Sequence, residues 1–358
     1  MPSVHDIAVV TPRKQPLHAA RFSRPSLEAF ENPLRVDAAI HYLDSRGVFD
    51  WVDRVDAPQA KIEDVRIVHS EYLIESVGIM TELGSGDIGE ASYASPELMR
   101  AALYAVGSAT KAAELTVMRK KRHAFSLSRP PGHHATTSAA MGLCFFNNIA
   151  IAVKRIMTNG SVQRVSILDF DSHHGNGTSE IFYAARNVQY ISVHEYDYET
   201  YGQGHFSEIG YGEAAGTKVN IPLLESSPDV SYESALTRVV VPAIQRFKPD
   251  MIAVSAGYDP HFADPVGNMD VDSSTFWRIG STVKSLVDST GCGGSFWVLE
   301  GGYNPLALGP CIEASLLGLA GQPKPDLPDQ IPRRLQPGIA EANDEILDQV
   351  LETVEPYW

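Results

Sequence analysis

The sequence predicts an α/β fold built on a parallel β-sheet, and three observations support this prediction. Short runs of β-branched and aliphatic residues alternate along the chain with longer segments whose apolar residues recur every three or four positions. The alternation continues to about residue 320 without a low-complexity linker, which predicts one large domain. Of the 358 residues 44% are hydrophobic, so the chain can bury a large core.

The individual elements follow from the same patterns. Strands are predicted for six short apolar runs, at residues 124–128, 164–170, 188–194, 218–223, 251–256 and 295–299. Helices are predicted for five longer segments, at residues 96–119, 147–157, 179–186, 232–247 and 273–287. Strands that alternate with helices in this way form βαβ units, in which successive strands run parallel.

The end of the chain has a different composition. Residues 322–338 are rich in proline and poor in apolar residues, which predicts an extended strap. Residues 339–354 then place Ile346, Val350 and Leu351 on one narrow apolar helix face. We therefore predict a domain over residues 1–321, followed over 322–358 by a strap and a helix packed on the domain or on a partner subunit.

Charge, cysteines and the first residues limit the classes of protein. The 29 Lys+Arg and 44 Asp+Glu give a net charge of −15, which argues against direct nucleic-acid binding. Cys144, Cys292 and Cys311 are too few and too far apart for a disulfide framework or a cysteine-based zinc module. Residues 1–10 lack the build of a secretory signal, and no apolar run approaches the ~18 residues that span a bilayer. These features predict a cytoplasmic protein that does not enter membranes.

Polar residues with catalytic potential follow several predicted strands. An open parallel sheet places its ligand sites beyond the carboxyl ends of its strands, so these residues are candidates for one site. The four clusters are RPPGHH (129–134), DFDSHHGNG (169–177), SAGYDPHFAD (255–264) and EGGYN (300–304).

A metal site is the first prediction from these clusters. Asp171 and His173 stand two residues apart after an apolar strand, so both side chains point to the same side. Asp264 follows another strand and supplies a third donor, although alone it would be a capping or turn residue. One histidine and two carboxylates form a nitrogen and oxygen site with room for water, as catalytic metals require.

His133 and His134 are candidates for proton transfer because the pKa of imidazole lies near neutrality. They follow a Pro-Pro-Gly turn that limits backbone freedom. Asp169 and Asn176 can orient them, and a carboxylate partner makes its histidine more basic than an amide partner does. The two histidines are therefore expected to have different roles.

Tyr303 lies between Gly302 and Asn304 after the last predicted strand. In isolation it would be an ordinary buried tyrosine. The two glycines before it permit backbone conformations closed to other residues, so its hydroxyl can turn toward the metal and donate to an oxyanion.

Five blocks of the sequence resemble the signature motifs of the zinc-dependent histone deacetylase and acetylpolyamine amidohydrolase family, of the class II-like bacterial or archaeal type. The blocks are RPPGHHA (129–135), GLCFFNN (142–148), ILDFDSHHGNGT (167–178), SAGYDPHFADPVGNM (255–269) and LEGGYN (299–304). They occur in the family's order between about residues 64 and 321. The resemblance implies the arginase/deacetylase fold, with about eight parallel strands flanked by helices.

The resemblance also assigns roles to the residues derived above. It implies that Asp171, His173 and Asp264 bind zinc, with ferrous iron as an alternative. The implied catalytic residues are the proton-transfer pair His133 and His134, their partners Asp169 and Asn176, and the transition-state tyrosine Tyr303. A structural potassium ion is implied at Asp169, Asp171, His173, Ser192 and Val193, partly through backbone oxygens.

The substrate-binding positions follow from the same resemblance. Asp87 matches a rim aspartate that holds the substrate backbone, and Tyr201 is expected on a wall of the acyl tunnel. Gly142 and Leu143 lie on the opposite wall, where many members have phenylalanine in place of Leu143. Val266 stands where one subgroup of polyamine deacetylases carries a glutamate. At this position the chain therefore has no acidic side chain that could bind a polycationic substrate.

The leading functional prediction is a metal-dependent amidohydrolase that deacetylates an acyl-lysine peptide or protein, or a similar acylated amine. Hydrolysis of acetylpolyamines or other small amides is the alternative. A catalytically silent binder of acyl-lysine is a third hypothesis, but it could dispense with metal ligands or Tyr303, which are all present. The sequence leaves open which histidine protonates the leaving amine, and whether the protein forms a homo-oligomer.

Overall fold

A computed structural model describes residues 6–20, 30–158, 160, 162–200, 202–327, 329, 333 and 335–358. Its centre is an eight-stranded sheet with the strand order β2-β1-β5-β10-β9-β6-β7-β8, in which every neighbouring pair is parallel. Its strands are β1 (Ile7–Thr11), β2 (Asp53–Asp56), β5 (His123–Ser126), β6 (Val165–Asp169), β7 (Val188–Glu195), β8 (Lys218–Leu223), β9 (Met251–Ala256) and β10 (Ser295–Leu299). A separate antiparallel hairpin contains β3 (Gly86–Gly89) and β4 (Ser92–Ala94). The predicted α/β fold with about eight parallel strands is confirmed.

Helices cover both faces of the sheet. They are α1 (Leu34–Ser45), α2 (Ile62–Val65), α3 (Glu71–Leu83), α4 (Leu98–Val117), α5 (Asn148–Thr158), α6 (Asn176–Phe182), α7 (Asp229–Ala235), α8 (Val241–Phe247), α9 (Ser273–Thr290), α10 (Pro305–Leu319) and α11 (Ile339–Val354). Successive strand residues enter opposite cores: Leu168 belongs to the core that α1 and α7–α11 also line, whereas Ile167 belongs to the core that α3–α5 line. This is the alternation expected when both faces of a parallel sheet are buried. Among the described residues, no helix is both long enough and apolar enough to cross a membrane.

The structure adds elements that the sequence patterns do not predict. The strands β1 and β2 extend one side of the sheet, and α1, α3 and α10 are additional helices. The strand β2 reads Asp-Arg-Val-Asp at the sheet edge, so it lacks the apolar run that identifies a central strand. The predicted helix over 232–247 is divided, because a π-helical segment at Leu236–Val240 separates α7 from α8.

The strand register brings the polar clusters to one edge of the sheet. Asp169, the last residue of β6, lies opposite Ser255 of β9 and Ser192 of β7. Leu299 of β10 lies opposite Ala256 of β9. The segments after β6, β9 and β10 therefore leave the sheet side by side, at the edge where parallel sheets bind their ligands.

The C-terminal segment contacts the same domain. Helix α11 packs near β8 and α7, where Asn343 accepts the N–H of Leu224 at 3.0 Å and donates to Ser227 Oγ at 2.7 Å. In the strap, Asp329 accepts the N–H of Ser273 at 2.8 Å. Arg333 pairs with Asp229 and Asp270. The strap is thus anchored to the start of α9, to the end of the loop before it and to α7.

Candidate active site

Three potential metal ligands converge beyond β6 and β9. The Nδ1 atom of His173 lies 3.1 Å from Asp171 Oδ1 and 3.1 Å from Asp259 Oδ2. One donor atom from each of the three residues lies within 4.8 Å of the others. The two aspartates are buried, and backbone N–H groups hold them: Gly301 N donates to Asp171 Oδ2 at 2.8 Å, and Ser172 N to Asp259 Oδ1 at 2.8 Å.

This donor set fits a divalent metal. Ligand distances of about 2.0–2.1 Å in a tetrahedral zinc site imply donor atoms about 3.3 Å apart, close to the two 3.1 Å separations around His173. Burial, followed by the charge of Asp171, raises the pKa of Asp259 to about 7, since two adjacent carboxylates repel each other. A bound cation would relieve that repulsion. One imidazole with two carboxylates suits zinc or ferrous iron.

Asp264, the predicted third ligand, is not one of the three residues of this group, and its role as a metal ligand stays a prediction. Its Oδ2 atom accepts the backbone N–H groups of Tyr303 at 2.6 Å and Asn304 at 3.1 Å. Its Oδ1 atom accepts those of Val266 at 3.0 Å and Gly267 at 3.4 Å. Backbone donors therefore fix the orientation of this carboxylate.

Asp259 is the carboxylate that lies beside Asp171 and His173, and its position was not predicted. The sequence contains a signal for this, because Asp259 is the third residue after β9 whereas Asp264 is the eighth. Asp171 likewise follows β6 within two residues. A carboxylate close to a strand end has less freedom to turn away from the edge of the sheet.

The adjacent histidines have different partners and different pKa values. His133 Nδ1 lies 3.1 Å from Asp169 Oδ2, and His134 Nδ1 lies 2.7 Å from Asn176 Oδ1. Burial alone would lower the pKa of His133, but the charges of Asp171 and Asp169 raise it to about 10. Burial, followed by the charge of His133, lowers the pKa of His134 to about 3. His133 therefore favours the imidazolium form and His134 the neutral form.

Glu300 holds the backbone of the segment that carries His133 and His134, a contact that the sequence patterns did not reveal. Its Oε2 atom accepts the backbone N–H of Gly132 at 2.7 Å and of His133 at 3.1 Å. Its Oε1 atom accepts Ser255 Oγ at 3.1 Å. The sequence does contain a signal for Glu300, because an acidic residue that directly follows the apolar strand β10 is expected to be buried, and a buried carboxyl group needs hydrogen-bond partners.

Tyr303 is buried beside Arg35. Like Glu300, Arg35 was not revealed by the sequence patterns. The Arg35 guanidinium carbon lies 4.3 Å from the centre of the Tyr303 ring. Arg35 also donates to the carbonyls of Gly302 and Glu300, both at 2.7 Å. Burial raises the pKa of Tyr303 well above its usual value, so the hydroxyl stays protonated. Among the described residues none hydrogen-bonds this hydroxyl.

The predicted substrate-binding residues are spread around the site. Gly142 has a φ of 55°, and a Cβ there would lie 2.3 Å from His134 Cδ2, so only glycine fits. Leu143 is buried and lines a cavity of about 10 Å³ with Tyr93 and Phe145. Asp87 is exposed on β3, and Val266 is half-buried after β9. Tyr201 lies outside the described residues.

The residues expected to hold potassium are adjacent in the sheet. Asp169 pairs in register with Ser192, and Val193 is the next residue of β7. The Ser192 hydroxyl lies 2.8 Å from His194 Nδ1, and Asp169 Oδ1 accepts the N–H of Asp171 at 3.2 Å. The potassium site stays a prediction.

Comparisons with known proteins agree with the motifs and the fold. The histone deacetylase domain model matches residues 29–319. A histone deacetylase-like amidohydrolase of Pseudomonas aeruginosa is 34% identical over 279 residues, which cover 78% of this chain and 73% of the relative. A probable deacetylase of Methanothermobacter thermautotrophicus is 39% identical over 269 residues, which cover 75% of this chain and 79% of the relative.

A solved structure is also similar over nearly the whole chain. The HD domain of HDA15 matches with a TM-score of 0.87 and 29% identity, covering 99% of this chain and 96% of that chain. The family resemblance drawn from the five motifs is confirmed by these matches. The chain belongs to the histone deacetylase family.

Proposed function

We propose that this protein is a metal-dependent deacetylase that hydrolyses the amide of an acylated lysine or of a similar acylated amine. The observation that carries the proposal is the convergence of Asp171, His173 and Asp259 on one point beside His133 and His134. Family membership and the names of the relatives, deacetylase and amidohydrolase, support the same reaction class.

Asp171, His173 and Asp264 would hold zinc, with ferrous iron as the alternative, and the carboxylate of Asp259 lies beside the first two. When bound, such a metal lowers the pKa of a water molecule and polarises the carbonyl group of an amide. The neighbouring site at Asp169, Asp171, His173, Ser192 and Val193 would hold the structural potassium ion.

His134 is the proposed general base. Its Nδ1 atom faces the carbonyl oxygen of Asn176, so this nitrogen carries the proton and Nε2 is free to accept one. A neutral imidazole is required to take a proton from the attacking water. The low pKa of His134 keeps the ring neutral in the absence of substrate.

His133 is the proposed proton donor to the leaving amine. Its hydrogen bond to Asp169 and its raised pKa keep a proton on the ring, which is the form that a general acid needs. The sequence left the choice between the two histidines open. The different hydrogen-bond partners of the two histidines, a carboxylate for His133 and an amide for His134, support this assignment.

Tyr303 is the proposed donor to the oxyanion that forms when water attacks the carbonyl carbon. Its hydroxyl is protonated and free of other partners among the described residues, and Arg35 holds its ring. A hydrogen-bond donor aimed at a developing oxyanion accelerates acyl transfer because it stabilises the transition state more than the substrate.

The acylated amine of the proposed substrate is that of a lysine side chain in preference to that of a polyamine. Val266 places an aliphatic side chain after β9 where an acid would be needed to hold a second ammonium group. Acetylpolyamine hydrolysis stays the second candidate, because the net charge of −15 attracts any cationic substrate.

The test is to assay the zinc-loaded and iron-loaded protein in parallel on acetyl-lysine peptides, longer acyl-lysine peptides and acetylpolyamines. We expect the highest kcat/KM on acetyl-lysine peptides. Asp171→Ala serves as the matched control, because a variant without this metal ligand should not turn over substrate and any activity left in its preparation comes from a contaminant. Higher kcat/KM on acetylpolyamines would support the second candidate, and binding without turnover would support the silent binder.

A further inference from the structure

We propose that His69 is a positioning residue for His134, an inference that rests on the function proposed above. His69 is buried just before α3 and belongs to none of the sequence motifs of the candidate site. It holds both ends of the segment 136–147, and this segment contacts the ring of His134 and its partner Asn176. His69 therefore acts on the reaction through His134.

Both ring nitrogens of His69 are used, one at each end of the segment 136–147. Nε2 accepts the N–H of Asn147 at 2.8 Å, so this nitrogen carries no proton. Nδ1 therefore carries the ring proton and donates to the carbonyl oxygen of Thr136 at 2.9 Å. Burial lowers the pKa of His69 to about 4, so the ring is neutral at pH 7 and keeps both bonds. One imidazole thus closes the base of the segment.

The tip of the segment has a backbone conformation that needs support. Gly142 and Leu143 have φ values of 55° and 67°, and a leucine rarely adopts a positive φ. The N–H of Gly142 donates to the carbonyl of Glu90 at 2.9 Å, and that of Leu143 to the carbonyl of Ala91 at 3.1 Å. The turn between β3 and β4 therefore holds the segment at its tip, while His69 holds it at its base.

The segment contacts the proposed general base in two ways. A Cβ at Gly142 would lie 2.3 Å from His134 Cδ2, so the Gly142 backbone lies against the imidazole ring. The sulfur of Met141 accepts Asn176 Nδ2 at 3.2 Å, and Asn176 Oδ1 lies 2.7 Å from His134 Nδ1. A movement of the segment would therefore displace both the ring of His134 and its hydrogen-bond partner.

The base of the segment is also joined to the backbone around His134. Asn147, whose N–H is bound by His69, donates from Nδ2 to the carbonyl oxygens of Ala135 at 3.1 Å and His133 at 3.5 Å. These two residues flank His134 in the sequence. A variant without the imidazole of His69 takes the acceptor away from a buried N–H group, which favours a shift of Asn147 and of the backbone that it holds.

His69→Phe removes both hydrogen bonds and keeps a ring beside Phe146, whose ring centre lies 5.5 Å from that of His69. A reacting group displaced by about 1 Å can lose about 10²-fold in rate. We expect kcat on an acetyl-lysine peptide to fall about 10- to 100-fold while KM changes by less than about threefold, because His134 acts in the chemical step. An unchanged kcat would overturn the proposal.

His69→Gln tests the bond to Asn147 by conservative rescue. The Oε1 atom of glutamine can accept the N–H of Asn147 as Nε2 of the imidazole does. We expect kcat to recover to within about fivefold of the parent. A kcat as low as that of His69→Phe would contradict the assigned route through Asn147.

A double-mutant cycle tests whether the loss acts through the general base. The rates of His69→Phe, His134→Ala and the double variant are compared with that of the parent. We expect His69→Phe to cost less than about threefold once the imidazole of His134 is absent, because coupled residues are not additive. An equal loss in both backgrounds would overturn the proposal.

His123→Phe is the matched control for the loss of a buried histidine. Burial also lowers the pKa of His123 to about 4, and its Nδ1 atom lies 2.8 Å from Ser295 Oγ. His123 begins β5, so it lies at the edge of the sheet opposite the candidate site. Its replacement should lower Tm and leave kcat unchanged. Both variants should keep the metal content of the parent, and loss of metal from His69→Phe would overturn the positioning role.

A spectroscopic measurement keeps the test decisive if the parent shows no turnover. With ¹³C-labelled histidine, the ring Cε1 resonance of His134 is assigned from its loss in His134→Ala. It should shift in His69→Phe and stay as in the parent in His123→Phe. If His69→Phe folds poorly, His69→Asn replaces it, because the asparagine amide can still donate to Thr136 and only the bond to Asn147 is lost. An unchanged resonance would overturn the positioning role, whereas an inactive parent would count against the proposed function.

Discussion

Replacing Glu300 should separate hydrogen bonding from charge at the support of the catalytic histidines. Glu300 is fully buried and accepts two backbone N–H groups, those of Gly132 and His133, as well as the Ser255 hydroxyl. Glu300→Leu leaves both N–H groups without an acceptor. A buried donor that loses its partner costs about 1–3 kcal/mol, so the free energy of unfolding should fall by about 2–6 kcal/mol.

Glu300→Gln should have a much smaller effect. The amide oxygen can accept both N–H groups while the amide nitrogen donates to Ser255 Oγ. Burial raises the pKa of Glu300 to about 7, so exchanging its carboxyl group for a neutral amide removes little favourable charge. We expect a loss below about 1 kcal/mol and a kcat within about fivefold of the parent.

Urea unfolding followed by circular dichroism, together with kcat on an acetyl-lysine peptide, measures both effects. The leucine variant should also lose activity, because the backbone of His133 is no longer held. The reasoning fails if the leucine variant is as stable as the parent, or if the glutamine variant is destabilised as much as the leucine variant. The second result would show that charge, and not the hydrogen-bond pattern, is what Glu300 supplies.

Four further predictions concern other parts of the chain. Asp264→Asn should empty the metal site and abolish turnover, and metal analysis that finds full occupancy would remove Asp264 from the ligand set. Tyr303→Phe should lower kcat about 10²-fold or more with the metal content unchanged, and a change of only a few-fold would exclude the oxyanion role. Leu143→Phe should tighten acetyl-lysine binding by about 1 kcal/mol and penalise longer acyl chains, so unchanged kcat/KM ratios would show that Leu143 does not line the acyl tunnel. Burial lowers the pKa of Lys218 to about 7, so between about pH 7 and 10 the Lys218 amine is protonated in the unfolded chain but not in the folded chain. The free energy of unfolding of the parent, relative to that of Lys218→Met, should therefore rise with pH over this range by at most about 4 kcal/mol. A difference that does not depend on pH would contradict the low pKa of Lys218.

The central strands and the C-terminal helix could be predicted because their patterns are strong. The strand β9 is a continuous apolar run, and α11 begins and ends at the predicted residues 339 and 354. The strand β2 could not be predicted because its ends are charged and its position at the sheet edge leaves them exposed. The π-helical segment at Leu236–Val240 leaves the apolar helical pattern intact, so that pattern predicts one continuous helix.

The candidate site shows where sequence patterns reach their limit. The pairing of His133 with Asp169 and of His134 with Asn176 was expected from the family resemblance, although β5 and β6 are separated by β10 and β9 in the sheet. The position of Asp259 beside Asp171 and His173 was not predicted, because residue spacing does not give the direction of a side chain within a loop. Glu300 and Arg35 stayed hidden because their partners include backbone N–H and carbonyl groups, which every residue type shares.

The strand order has a consequence for how the protein is made. The strand β10 is the last strand in the sequence, yet it lies between β5 and β9 in the middle of the sheet. Until residues 295–299 have left the ribosome, β2-β1-β5 and β9-β6-β7-β8 are two half-sheets, each with an unpaired inner edge. Exposed strand edges promote association between chains, and long-range pairing is slow. We expect nascent chains that stop before β10 to aggregate or to engage chaperones, and folding to become cooperative only when this strand is inserted.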